Sequence, residues 1–299
     1  MNNYVIVTDS CSDMQKEFRD KYGIRYIPVH YTIHGTEYVT DLDWKNISPR
    51  DFYDMIRKGE RITCAAINEK EYEKFFSEFL SAGLDVLYLG CSSALSASVK
   101  TSFIVREKLK EQFPERKLIC IDTLRAGCVL TLINIEAAKL KEAGKTLEEV
   151  ADFVEKEKLK FNQEGTVDSL TYLKRAGRVS LTSAFFGGMF NVKPIIIADA
   201  KGQNAAIEKI MGKAKAFARI ADRVAEKIQL TPEHDKILIS QSDCMDDANK
   251  IQELITERLA AKGLKADFYK CHIGAAIGGS VGPGTIMVAF YGKEVDYTA

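Results

Sequence analysis

Three short stretches of the chain share one plan, in which an apolar run ends in hydroxyls or a carboxylate and a helix-like segment follows. They are "VIVTDSCSD" (5–13), "LYLGCSSALS" (87–96) and "IDTLRAGCVL" (121–130). Together they gather Thr8, Asp9, Ser10, Ser92, Ser93, Ser96, Asp122 and Thr123. Small hydroxyls beside helix N-termini supply donors and a partial positive charge, which suits a carboxylate or phosphate. Each serine or threonine could equally cap its own helix. It is the repetition, not any one serine, that points to an anionic head group.

Other side chains offer rival chemistry. "GGSVG" (278–282) matches the G-x-S-x-G nucleophile pattern and offers Ser280. That pattern needs a strand before the serine, a helix after it, and an acid and then a histidine later in the chain. Here Pro283 and a strand-like run follow, and no histidine lies beyond His272. A hydrolase or other enzyme using Ser280 or a cleft cysteine is the alternative to a binding protein. The seven cysteines are odd in number and contain no C-x-x-C, which argues against a disulfide framework and against zinc. Of the four histidines, His30 and His34 are four apart, but "PVHYTIHG" alternates like a strand. Neither a phosphate-binding G-x-x-x-x-G-K-[ST] nor a dinucleotide G-x-G-x-x-G follows the first strand. No metal and no cofactor is expected.

The elements that must position these groups alternate. Strands are predicted at 4–9, 25–33, 85–91 and 117–122, with helical patterns between most of them. Such alternation implies a parallel sheet covered on both faces, with ligands beyond the carboxyl ends of its strands. Ser12 with Gln15, and Thr146 with Glu149, read as capping boxes, and Gly23 as a helix stop. The second half has a polar, glycine-rich stretch, then a long helix over 206–228. A strand in "KILISQSD", a helix through Ile251 to Leu259, and strands near 266–273 and 285–291 follow. The expected fold is therefore two α/β domains, the N-terminal one (1–164) with a mainly parallel sheet and the C-terminal one (165–299) with a mixed sheet.

Lys plus Arg equals Asp plus Glu, 42 each, in a chain of 299 residues. No global positive field would draw nucleic acid. No run approaches the roughly 20 apolar residues of a membrane span, and "MNNYVIVTDS" lacks the features of a secretion signal, so a cytoplasmic protein is expected. "SAFFGGMF" sets Phe185, Phe186 and Met189 about a glycine pair. It reads either as core or as the lining of an apolar cavity. The glycines of "GAAIGGSVGPGT" read as turns or as sites of close backbone approach.

"VTDSCSD", "SSALS", "DT" after a strand, "LTYLKRAGRVS" and "GPG" occur in the order and spacing of the DegV family, and the resemblance covers about residues 4–292. These are bacterial fatty-acid-binding proteins that serve as a subunit of fatty acid kinase. The resemblance implies two α/β domains enclosing one long-chain fatty acid, its chain in an apolar tunnel. It also implies no chemistry on this chain: the carboxyl group is presented to a separate ATP-dependent fatty acid kinase subunit, for phospholipid synthesis. Carried over by motif, Thr63, Ser93 and Ser96 hold the ligand carboxylate. Arg175 and Arg178 meet the kinase or close the site. The chain departs from the family pattern at "TCAAI", where Cys64 follows Thr63 in place of serine, at Ala97 in place of glycine, and at Ser280 in place of a frequent histidine, so a carrier of a different amphipathic ligand stands as a further alternative.

Overall fold

A computed structural model describes residues 3–181 and 191–299 of the protein. Its first half runs β1 (Tyr4–Asp9), α1 (Lys16–Tyr22), β2 (Arg25–Ile27), β3 (His30–Ile33), β4 (Thr36–Val39), α2 (Pro49–Arg57), β5 (Thr63–Ala65), α3 (Glu69–Ser81), β6 (Asp85–Gly90), α4 (Ser98–Gln112), β7 (Leu118–Asp122), α5 (Gly127–Glu142) and α6 (Leu147–Glu157). The second half runs β8 (Phe161–Thr166), α7 (Leu170–Ala176), β9 (Ser180–Leu181), β10 (Val192–Ala198), β11 (Asn204–Met211), α8 (Lys213–Lys227), β12 (Lys236–Gln241), α9 (Met245–Ala260), β13 (Asp267–His272), α10 (Ala275–Val281) and β14 (Ile286–Tyr291).

Strands β2-β1-β6-β7 form a wholly parallel sheet. Every residue of β1 is buried, as a strand covered on both faces requires. The second sheet is mixed, in the order β13-β12-β14-β8-β10-β11-β9. Its β12/β13 and β11/β9 pairs are parallel and the others antiparallel. A third, small antiparallel sheet, β4-β3-β5, carries Thr63 on β5.

Helix α5 joins the two larger sheets. It packs on β1 and β6 on one side and on β8, β12 and β14 on the other. Residues Cys128 to Ala138 are accordingly buried without a break, the pattern of a helix with no solvent face. Just before it, the fully buried Arg125 donates to the carbonyls of Leu124 (2.8 Å), Phe161 (2.6 Å) and Asp199 (3.1 Å). This cation therefore bonds to backbone on both sides of the molecule.

Local signals were partly overruled. Thr146 and Glu149 form their capping box, and Gly23 ends α1 in the left-handed conformation. Ser12 and Gln15 do not cap a helix together: Ser10–Ser12 is a single 3-10 turn capped by Asp9, and α1 starts only at Lys16. The run 25–33 is two strands, because Pro28 removes a ladder N–H between β2 and β3. The long helix of 206–228 begins instead as strand β11, and α8 starts at Lys213. Pairing with β10 along the whole of β11 outweighs the helical propensity of its Ala, Glu and Lys residues.

Candidate functional site

A cavity of about 420 Å³ lies where α5, α7, α10, β5 and the ends of β1 and β6 converge. Its rim is exposed, with Arg61, Thr63, Ala65, Ala97, Arg175 and Arg178. Its floor is buried, with Asp13, Cys128, Gln163, Ser240 and Met287. Apolar wall between the two comes from residues such as Val29, Leu95, Leu173, Ile273 and Val281. Helix α10 can form part of this wall because it is narrow. A Cβ on Gly278 would fall 2.7 Å from the Tyr53 hydroxyl, and one on Gly279 would fall 2.9 Å from the Ile62 carbonyl. Close approach is thus what these glycines provide.

Thr63, Ser96, Ser280, Arg175 and Arg178 all line the cavity. Ser93 stands outside the lining, and its amide donates to Asp122 Oδ1 at 3.2 Å. Phe185, Phe186 and Met189 lie outside the described residues. At the rim, Ser96 Oγ lies 3.0 Å from Ser98 Oγ. Arg178 Nε donates to the Leu95 carbonyl at 3.0 Å, and the Arg175 guanidinium lies 5.5 Å from the Tyr172 ring centroid. Arg61 also reaches the rim; sequence reasoning passed over it, although it stands only two residues before Thr63.

The repeated hydroxyls at the strand ends serve mostly to close the fold. Of the eight residues that carried that signal, only Ser96 lines the cavity. Thr8 donates to the Leu89 carbonyl (2.9 Å), Ser92 to Gly202 (2.9 Å) and Thr123 to Gly90 (2.8 Å), while Ser10 Oγ accepts from the Val29 amide (2.9 Å). Asp9 accepts from the amides of Cys11 and Cys91 (2.9 Å each) and from the Tyr88 hydroxyl (2.8 Å). Desolvation raises its pKa and these three donors pull it back.

Four thiols face the cavity: Cys11, Cys64, Cys91 and Cys128. A hydrogen bond with Cys91 and burial push Cys11 well up, and burial pushes Cys128 up to about 12. The Cys64 thiol donates to the Ala276 carbonyl (3.1 Å), and desolvation pushes it up to about 11. Such thiols hold their protons and are poor nucleophiles. Ser280 is the sixth residue of the seven-residue α10 and so lies within a helix, not at a strand-to-helix elbow. Among the described residues no histidine lines the cavity.

Asp13 ends the 3-10 turn in the left-handed conformation and is 4% exposed. Its Oδ1 accepts from the Gly274 amide at 2.8 Å. Burial, which that one bond offsets only in part, pushes it up to about 8. Sequence reasoning missed its place on the cavity floor because only the turn after Asp9 turns it inward.

Residues 3–293 match a family described as an uncharacterised protein, DegV family. A DegV domain-containing protein of Clostridium perfringens is 34% identical over 293 residues, 98% of each chain. One of Streptococcus pyogenes is 29% identical over 291 residues, 97% of this chain and 99% of the other. Among solved structures, a DegV family protein of Thermus thermophilus, described by its fatty acid binding, superposes with a TM-score of 0.82 at 25% identity, covering 97% of this chain and 100% of the other. The fold also matches a DegV family protein of Streptococcus agalactiae, with a TM-score of 0.83 at 21% identity over 98% and 100% of the two chains.

Proposed function

Because the chain belongs to the DegV family, we propose that it carries one long-chain fatty acid, with the hydrocarbon in the cavity and the carboxylate at the rim against Thr63 and Ser96. The observation that carries the reading is the order of surfaces in that cavity, with Thr63, Ser96 and guanidinium groups at the rim and an apolar wall directly below them. Burying an acyl chain contributes roughly 0.8 kcal/mol per CH₂, so the wall supplies most of the affinity. A carboxylate must keep its hydrogen bonds as it leaves water, since each one missing costs about 1 to 3 kcal/mol. Thr63 and Ser96 can donate to it, and Arg178 nearby adds positive charge. Ser93, outside the lining, has no part in the proposal. The volume falls in the usual range for small-molecule sites, about 300 to 1,000 Å³. The Thermus thermophilus relative supports the choice of ligand.

The test is to purify the protein, denature it and score the extracted lipid per chain by mass spectrometry. About one fatty acid per chain is the expected result. The stripped Thr63→Ala/Ser96→Ala protein should keep its melting temperature and bind stearate at least tenfold more weakly, each lost bond to a charged group being worth about 1.5 to 3 kcal/mol before solvent at the rim reduces it. An empty extract from a folded protein that also ignores added stearate and oleate would overturn the carrier reading.

The finer part of the proposal is that the chain does no chemistry itself. It holds the carboxyl group where a separate ATP-dependent fatty acid kinase subunit can phosphorylate it. Exposed Arg175 on the rim is then a partner contact. Arg175→Glu should abolish capture of such a kinase subunit while leaving bound lipid unchanged. Undiminished capture would remove Arg175 from the interface.

A further inference from the structure

The floor of the cavity is more polar than an unbranched hydrocarbon requires. Gln163, Asn204 and Ser240 line the cavity and each bonds within the protein: Gln163 Nε2 donates to Asn204 Oδ1 (3.1 Å), and Ser240 Oγ donates to Cys128 Sγ (3.3 Å). Asp13 differs. Its Oδ1 is taken by Gly274, but its Oδ2, buried just behind the lining, has no hydrogen-bond partner among the described residues, and the residue itself lines the cavity. Beside it begins the 16-residue helix α5, whose N-cap residue Ala126 contributes no side-chain cap. First-turn N–H groups have no acceptor within their own helix and carry the positive end of its dipole. Ala126 and Gly127 both line the cavity. Gly127, at φ +59°, keeps the corner open, since a Cβ there would stand 3.5 Å from Asp13 Oδ2.

We propose that Asp13 Oδ2 and the N-terminus of α5 form a second polar subsite on the cavity floor, which takes a hydroxyl carried on the hydrocarbon chain of the ligand. This rests on the carrier reading above and names a class of acyl chain for it. A hydroxyl fits because it serves either form of the carboxyl group. Its oxygen accepts from the helix N–H groups or from a protonated Asp13, and its proton goes to Oδ2 when Asp13 is ionised. An unpaired buried carboxyl oxygen beside an alkyl chain costs free energy that a hydroxylated chain recovers.

The test titrates the delipidated full chain with stearate and with a set of monohydroxystearates differing in hydroxyl position. One isomer should bind about five- to tenfold tighter than stearate, the worth of roughly one buried hydrogen bond. In Gly127→Ala, and separately in Asp13→Ala, the ratio of that isomer's affinity to stearate's should fall to about one, whatever the change in stearate affinity itself. If stearate binds and no isomer binds more tightly, or if the preference survives in both variants, the subsite is wrong and the carrier reading stands. If neither stearate nor any isomer binds, both fail together.

Discussion

Asp9→Ala will melt roughly 10 °C below the wild-type protein and bind fatty acid poorly at any temperature near its transition. Three donors converge on this one buried carboxylate: two backbone amides, from Cys11 and Cys91, and the Tyr88 hydroxyl, which in turn lies 2.7 Å from the Tyr72 hydroxyl. Alanine leaves all three without an acceptor in a place water does not reach. At about 1 to 3 kcal/mol for each unsatisfied donor, the loss is about 3 to 9 kcal/mol, and the burial penalty that Asp9 itself carries brings it toward the lower end. For a chain of this size, 1 kcal/mol corresponds to about 2 to 4 °C or somewhat less. The functional loss follows from position, since Cys11 and Cys91 are themselves cavity wall. Thermal or urea unfolding monitored by circular dichroism measures the effect. A change under 2 °C would mean that another group accepts these bonds.

Asp13→Asn in the lipid-free protein will be more stable than wild type at alkaline pH, by several degrees at pH 8.5, and the two melting curves will converge as pH falls toward 4. The ordinary value for this carboxyl is 3.8, and in the folded protein burial holds it at about 8. Between those values the folded chain keeps a proton that the unfolded chain has released. Stability must then fall as pH rises through that window and level off above about 8. A tenfold difference in proton affinity is worth about 1.4 kcal/mol, so even partial relaxation around Asp13 leaves an effect on the order of a few kcal/mol. Asparagine tolerates the left-handed backbone and can still accept from Gly274, so the variant removes the titration with little else. Parallel curves across pH 4–9 would show that Asp13 does not titrate in that range.

Much of the framework could be read from local pattern, because that is where the physics is local. β1 came out of a run of apolar residues, α6 out of Thr146 and Glu149, and the left-handed end of α1 out of Gly23. The mixed second sheet is also as expected. What local pattern missed depended on distant partners. β11 looks helical until β10 is beside it. The hydroxyl-rich strand ends look like one anion cradle until Leu89, Gly90, Gly202 and Val29 take up their bonds. In the candidate site, Thr63 follows from the family motif and Ser96 from both that motif and the strand-end hydroxyls, and both lie on the cavity. Asp13 and Arg61 were not singled out, because nothing in the neighbouring residues tells an inward-facing side chain from an ordinary turn or surface charge.

Arg125 sets how the cavity can be reached. Its guanidinium gives up water entirely and is held by carbonyls from the β7–α5 connection, from Phe161 and from Asp199. Burial lowers its pKa to about 10, still well above neutrality, so it keeps its charge. Any motion that drew those carbonyls apart would strand a desolvated cation, at a cost of several kcal/mol. Wholesale hinging of one half of the molecule from the other is thus disfavoured as a loading route. For the carrier proposed above, exchange of the ligand then falls to the rim segments around 61–66 and 175–178, independently of how tightly the two halves are joined.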